Sequence, residues 1–279
     1  MAELFPFDEQ ALLPLCAELD SLRDPHDQQS TPPSTAPDAP CTPDRRGAEL
    51  NGYREAIAYA YRQATAESFK WSPRFMLEVQ RRVVAGQLGA GRFAIDGGAD
   101  RHVHMGYGHV YQPPPQRGLP ALTAHICRRL NDWDTHAALA AGWVHFATGI
   151  IHPFSDGNGR TARILAAAAM WNAGYRTDAF VSLERWWAEN PFDKGFALLP
   201  GGAFEDLTAA LTAEVEAGGS YNQAQLLERM GGLMPHRYDP RLDATHFMEC
   251  HVKTLIRQVN QITDGAVEHD PRDALLGAR

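Results

Sequence analysis

Apolar positions recur at helical spacing through most of this chain, and the interruptions are as informative as the runs. Leu12, Leu15, Leu19 and Leu22 predict an amphipathic helix over residues 8 to 22. The period returns from Asn51 with Tyr53, Ile57, Ala60 and Ala64. Ser72 and Pro73 supply an N-cap and a first-turn proline for a helix carrying Phe75, Val79 and Val83. Two further helices are marked by Leu119, Leu122, Ile126, Leu130 and Trp133, and by Leu139, Trp143, Phe146 and Ile150. Ile164, Leu165, Ala168, Ala169 and Trp171 continue as a helix apolar around most of its girth, hence buried, ending near Gly174. Phe204, Leu207, Leu211 and Val215 predict another helix, and Met248, Val252, Leu255, Val259 and Ile262 resemble a heptad seam for packing on a neighbour.

Residues 91 to 111, GRFAIDGGADRHVHMGYGHVY, have a different character. A short extended run breaks at Asp96, Gly97 and Gly98, and a second β-prone run ends in Pro113 to Pro115, the pattern of a hairpin with a long tip. With no internal repeat and no other strand signal, the expected fold class is all-α, a helical bundle with one β-hairpin flap. QQSTPPSTAPDAPCTP, residues 28 to 43, interrupts the bundle pattern because Pro removes backbone donors and Pro, Ser and Thr offer little to bury. The expected organisation is an N-terminal helix over 1–24, a Pro/Ser/Thr-rich arm over 25–50, a core over 51–200 with its flap near 93–110, and a C-terminal helical extension over 201–279.

Composition narrows the function classes. With 279 residues, 44% of them hydrophobic, the chain can bury a real core. Against 26 basic residues stand 34 acidic ones, a net charge of -8 with no basic run, which argues against nucleic acid as a partner. Cys16, Cys41, Cys127 and Cys250 are scattered without metal or disulfide spacing and read as reduced thiols. The start, MAELFPFDEQALLPLCAELD, carries acids where a signal peptide carries cations, and no apolar run approaches a membrane span. A cytoplasmic protein, or an effector exported by a specialised machine, is expected, with no membrane partner.

HPFSDGNGRTAR, residues 152 to 163, concentrates the chemistry. Pro153 disfavours helical geometry at His152, so the incoming helix should stop there and present an imidazole at its edge. Gly157 and Gly159 permit unusual dihedrals and close approach of a ligand to the backbone. Asp156 or Asn158 can cap the next helix, whose free N–H groups would then form an anion site. Arg160 and Arg163, three residues apart on the first turn, suit the oxygens of a polyphosphate. A carboxylate beside phosphates becomes useful when a magnesium ion bridges the two, which makes Asp156 the metal candidate. His152 is then placed as general base, and Phe154 as a core anchor pinning the loop between two helices. A histidine before a proline is commonly just a cap, and a glycine pair flanking Asn is commonly just a turn. Structure alone, however, needs no pair of arginines at the start of a buried helix.

IHPFSDGNGRTARIL resembles the Fic family signature HPFx[D/E]GNGRxxR and matches it at every defined position. HVYQPPPQ and AAGWVHFATGIIHPF resemble the segments that flank this family's flap and loop, so the likeness covers residues 51 to about 180 well and the C-terminal helices loosely. The resemblance implies a helical fold and a protein adenylyltransferase, a nucleotidyltransferase moving AMP from MgATP to a Ser, Thr or Tyr hydroxyl of a target protein. It implies His152 as base, Asp156 as Mg2+ ligand, Gly157, Asn158 and Gly159 around the α- and β-phosphates, Arg160 on the β-phosphate, Arg163 on the γ-phosphate, and Phe154 as loop anchor. Residues near 93–110, among them Gly97, Gly98, Met105, Gly106 and Tyr107, would form the flap that pairs main chain to main chain with the target.

Many members of the family carry an inhibitory helix with the pattern [S/T]xxxE[G/N]. Here a Ser or Thr stands four residues before a Glu only at Thr212/Glu216 and Thr245/Glu249, and neither continues with Gly or Asn. The expectation is no inhibitor within the chain, with restraint either absent or supplied by a separate antitoxin-like protein; self-modification and a homodimer stay open. Two other readings also stay open at this point: transfer of another phosphate-containing group (UMP, phosphocholine or phosphate), and a non-catalytic module that senses nucleotide.

Overall fold

The computed structural model describes residues 4–22, 45–95, 101–106, 109–175, 201–220 and 222–263. Among these residues are nine α-helices, a short 3-10 helix and a two-stranded antiparallel sheet, in the order α1 (Glu9–Ser21), α2 (Arg45–Ala64), α3 (Pro73–Val83), β1 (Val103–Gly106), β2 (His109–Tyr111), the 3-10 helix (Gln116–Gly118), α4 (Leu119–Asn131), α5 (Ala137–Ile151), α6 (Asn158–Asn172), α7 (Gly201–Glu216), α8 (Gln223–Leu233) and α9 (Thr245–Thr263). The mostly helical fold with one small sheet is the one the periodicity predicts. No described helix is long and apolar enough to cross a membrane.

The local signals act as expected at several ends. The Ser72 hydroxyl accepts the Phe75 N–H at 3.2 Å, with Pro73 in the first turn of α3. Gly174 takes φ +94° just beyond α6, where its N–H reaches the Trp171 carbonyl at 3.0 Å. Three readings shift. Helix α2 begins at Arg45, inside the span expected to be linker. Helix α8 was not legible from its apolar residues, though Asn222 and Gln225 form a reciprocal capping box at its start. The hairpin pairs Val103 with Tyr111 and His104 with Val110, not the 91–95 run with its follower. Ala94 instead donates its N–H to the Pro153 carbonyl at 2.9 Å, so the first extended run serves the loop after α5. Of the flap residues, Met105 and Gly106 lie in β1, whereas Gly97, Gly98 and Tyr107 lie outside the described residues.

Helices α5 and α6 form the most extensive helix pair, and both are buried around nearly their whole girth. α2 and α3 cover α6, while α1 and α9 cover α5. The apolar seam of α9 is filled within the chain, because Met248, Val252, Leu255 and Val259 are all buried. Gly142 of α5 allows this approach, since a β-carbon there would lie 3.3 Å from Met248 Cα. The N-terminal segment is woven into the same body. Phe5 donates its N–H to the Pro240 carbonyl at 2.8 Å, its own carbonyl accepts Trp143 Nε1–H at 3.1 Å, and the Asp8 N–H reaches Thr245 Oγ1 at 2.8 Å. Cys16, Cys127 and Cys250 are free thiols, and burial pushes both Cys16 and Cys127 up to about 12.

The α5–α9 interface contains a buried histidine pair, with His145 Nδ1 and His251 Nδ1 3.3 Å apart beside the Phe247 ring. Burial lowers the His251 pKa from 6.5 to about 3. Its folded pKa is below the unfolded value, so the unfolded chain binds the extra proton first and stability falls as pH drops below about 6.5. The effect amounts to as much as about 1.4 kcal/mol per pH unit for one such histidine. Urea midpoints measured from pH 8 to pH 4.5 should therefore be flat above 7 and fall below 6.5, with a shallower fall in His251→Gln; equal slopes in the two proteins would contradict this.

Candidate functional site

The motif occupies the connection between the two most buried helices. Helix α5 ends at Ile151, and His152 follows in the left-handed region at φ 50° and ψ 57°, its N–H donated to the Thr148 carbonyl at 3.0 Å. Two groups hold this helix end from outside: the Tyr111 hydroxyl donates to the Ile150 carbonyl at 2.8 Å, and Arg101 Nη2 to the Ile151 carbonyl at 3.4 Å. The cation suits the negative end of the helix.

The His152 ring points Nδ1 at the Gly149 carbonyl, 3.3 Å away. A carbonyl can only accept, so Nδ1 carries the proton and Nε2 keeps its lone pair. His152 is largely buried. That burial, helped by the nearby Arg101 charge and opposed by the Gly149 hydrogen bond and Asp156, holds the pKa down to about 4. His152 is thus a neutral proton acceptor throughout the physiological range.

Helix α6 starts at Asn158 with Gly157 as its N-cap and no side-chain cap. The expected caps do other work. Asp156 Oδ1 accepts the Gly157 N–H at 2.6 Å, and the Asn158 amide faces back into the loop. Phe154 N–H reaches Asn158 Oδ1 at 2.9 Å and Asn158 Nδ2 reaches the Phe154 carbonyl at 2.8 Å, so this buried side chain closes the loop on itself. The first helical bond is Thr161 N–H to the Gly157 carbonyl, 2.8 Å. The N–H groups of Asn158, Gly159 and Arg160 consequently have no acceptor within the helix and face out of its positive end.

Two glycines have steric reasons. Gly157 sits at φ +78°, and a β-carbon there would lie 2.7 Å from Val84 Cγ1 and 3.0 Å from Val83 Cγ1. A β-carbon on Gly159 would lie 3.3 Å from Arg163 Nη1, so the missing side chain is where the guanidinium rests. Arg160 lies on the other side with Nη2 3.5 Å from Asp156 Oδ2. The Asp156 carboxylate is 52% exposed, so Oδ2 is reachable from solvent. The Phe154 ring is buried, but its stacking partner is Phe93, 6.5 Å between centroids and 5° between planes, in the run before the hairpin and not in a helix.

His152, Asp156, Arg160, Arg163 and the open end of α6 therefore share one short loop and the turn that follows it. Among the described residues no group of three or more His, Cys, Asp or Glu could hold a metal. One exposed carboxylate beside an anion site fits a Mg2+ ion that arrives with phosphates and keeps waters, and does not fit an all-protein cage.

Against this geometry stand the likenesses to known proteins. Residues 70–170 match the Fic/DOC family. That span holds α3, the hairpin, α4, α5, the motif loop and nearly all of α6. Over 105 residues the chain is 39% identical to the protein adenylyltransferase Fic of Aedes aegypti, covering 36% of this chain and 19% of that protein. It is 30% identical over 136 residues to the protein adenylyltransferase Fic of Nematostella vectensis, 46% of this chain and 29% of that protein. The match therefore spans less than a third of the length of these relatives. A Fic family protein from Desulfovibrio desulfuricans superposes with a TM-score of 0.60 at 16% identity, over 97% of this chain and 79% of that one. Fic-1 from C. elegans gives 0.51 at 16% identity, over 92% and 71%. The fold is Fic-like.

Sequence reasoning missed Tyr111 and Arg101, which hold the end of α5, and a buried amide on α3. Gln80 of α3 is 1% exposed and donates Nε2 to the Asp156 carbonyl at 3.1 Å. Its position four residues after Met76 and one after Val79, on the apolar face of α3, was the available signal.

Gly157→Ala should cost both the left-handed backbone and the valine contact, about 2 to 4 kcal/mol together. The expected outcome is a melting temperature lowered by several degrees, read by thermal denaturation. A variant of unchanged stability would show that the loop is not held as described.

Proposed function

We propose that this protein transfers AMP from MgATP to a hydroxyl side chain of a target protein. The observation that carries the reading is the placement of a neutral histidine, protonated at Nδ1, at one end of a loop whose other end opens a helix N-terminus with no side-chain cap and with two arginines in its first turns. The family match and the names of the relatives support the reading; the intact loop chemistry favours it over a module that only senses nucleotide.

On this reading the N–H groups of Asn158, Gly159 and Arg160 and the guanidinium groups of Arg160 and Arg163 hold the triphosphate. Asp156 would hold Mg2+, which supplies charge neutralisation at the phosphates when bound. His152 Nε2 takes the proton from the attacking hydroxyl, while its Nδ1–H stays on Gly149 and keeps the ring oriented. The hydroxyl oxygen bonds to the α-phosphorus, the bond from that phosphorus to the bridging oxygen of the β-phosphate breaks, and pyrophosphate leaves. β1 and β2 form a two-stranded ribbon among the described residues, and an outer edge of it would take the target segment by strand addition. Restraint by a separate antitoxin-like partner belongs to the same proposal. Thr245 and Glu249, one of the two pairs at inhibitory spacing, are engaged elsewhere: Thr245 with Asp8, Glu249 with Lys253 and His246.

His152→Ala should abolish transfer while ATP affinity stays within about tenfold, because proton removal acts in the transition state. More than a few per cent residual transfer, read by mass spectrometry of the target or of the chain itself, would remove His152 from the role of base. Arg163→Ala should weaken ATP binding by about 2 to 3 kcal/mol through loss of a charge-assisted contact. Calorimetry giving wild-type affinity would place this arginine outside the phosphate site.

A further inference from the structure

Gln80 carries a task that neither the core nor the motif accounts for. It sits on the apolar face of α3 among Phe75, Met76, Val79 and Val83, where a primary amide is costly unless donor and acceptor are both engaged. Both are, and both partners lie outside α3. Nε2 donates to the Asp156 carbonyl at 3.1 Å, and Oε1 accepts the Gly91 N–H at 2.6 Å. An amide that spans the motif loop and the glycine-containing turn after α3 fixes the one relative to the other.

The consequence runs through one peptide plane. The carbonyl of Asp156 and the N–H of Gly157 belong to the same rigid unit, so holding the carbonyl orients the N–H on its opposite side. That N–H is donated at 2.6 Å to Oδ1 of Asp156. The plane is thus held at one end by Gln80 and at the other by the Asp156 carboxylate, which takes its own direction from the bond. Glycine tolerates either sign of φ, so the residue after this peptide does little by itself to prevent a flip of the plane. Gln80 opposes that flip from the buried side.

We propose that Gln80 is a positioning residue of the site, setting the Asp156–Gly157 peptide and through it the carboxylate that would face Mg2+ and phosphate. The proposal rests on the MgATP reading above. It assigns to Gln80 no contact with nucleotide or metal. Partners one shell removed from a metal-facing group typically change metal affinity by about 10- to 100-fold when lost, whereas a residue that only fills the core does not discriminate between metal-loaded and metal-free ligand.

The test is equilibrium binding of ATP to the full chain by calorimetry, titrated with Mg2+ and repeated in EDTA. Gln80→Met keeps length and apolar contact and removes both hydrogen bonds. In folded Gln80→Met the Mg2+ concentration that half-saturates ATP binding should rise about tenfold or more, with affinity in EDTA within about twofold of wild type. Gln80→Glu provides the second arm and the alternative should the methionine variant not fold. A protonated carboxyl offers the same acceptor and donor as the amide, and a charged one offers no donor to the Asp156 carbonyl. Its Mg2+ requirement should approach wild type as pH falls from 8 to 5.5, relative to wild type at each pH. Unchanged Mg2+ dependence in the variants, or an equal loss with and without metal, would overturn the proposal while leaving the functional reading intact. A wild-type protein that binds no ATP under any condition would overturn that reading and this role with it.

Discussion

A β-carbon at Gly157 would collide with Val84, and the backbone at that position is left-handed; both facts force the turn between α5 and α6 to pass directly against the end of α3. Everything chemical in the structure depends on that close approach. It starts α6 at Asn158 with no side chain available to cap it, so a helix buried along nearly its whole length still presents open N–H groups at one end. It also brings the Asp156 carbonyl within reach of Gln80, and leaves the Asp156 carboxylate turned toward solvent beside Arg160. The loop is closed from within by Asn158, whose amide satisfies both polar groups of the Phe154 backbone. Loss of such a pair at a buried site typically costs about 1 to 3 kcal/mol.

The second constraint is electrical. His152, just past the end of α5, is neutral. Its packing and the Arg101 charge disfavour the cation, and the Gly149 carbonyl settles which nitrogen holds the proton. The group that the proposed chemistry needs as a base is therefore ready at neutral pH and already aimed, at the cost of a left-handed residue just after α5. The hydroxyl of Tyr111 links this helix end to the hairpin, so the proposed docking strand and the proposed base share one support.

Much of this was legible in the sequence, and the exceptions have physical causes. The helices from α1 to α6 announce themselves because one face of each is apolar at a regular period, and Ser72 and Gly174 end two of them by simple stereochemistry. α8 hid because QAQLLERMGGL has a short apolar stripe and two glycines, and its capping box is a signal of polar residues. The hairpin was displaced because Gly97 and Gly98 are stronger turn signals than anything in HVHMGYGHVY, while the pairing of Val103 with Tyr111 is decided by the anchoring of Tyr111 on α5. Asn158 and Asp156 were legible as chemistry and misassigned as caps, since spacing cannot tell whether a side chain faces forward to the helix or back to the loop. Gln80 and the His145–His251 pair are contacts between distant segments, which no local pattern encodes.

The central claim is that the loop hands the α-phosphoryl group of ATP, with its nucleoside, to a protein hydroxyl. Incubating the purified chain and a candidate target with Mg2+ and ATP labelled at either the α- or the γ-phosphorus tests it most directly. The account predicts label on protein from the α-position alone, lost in His152→Ala. Label from the γ-position would contradict it by showing phosphate transfer, and label from neither, in a protein that binds MgATP and is offered its target, would reduce the site to a nucleotide sensor.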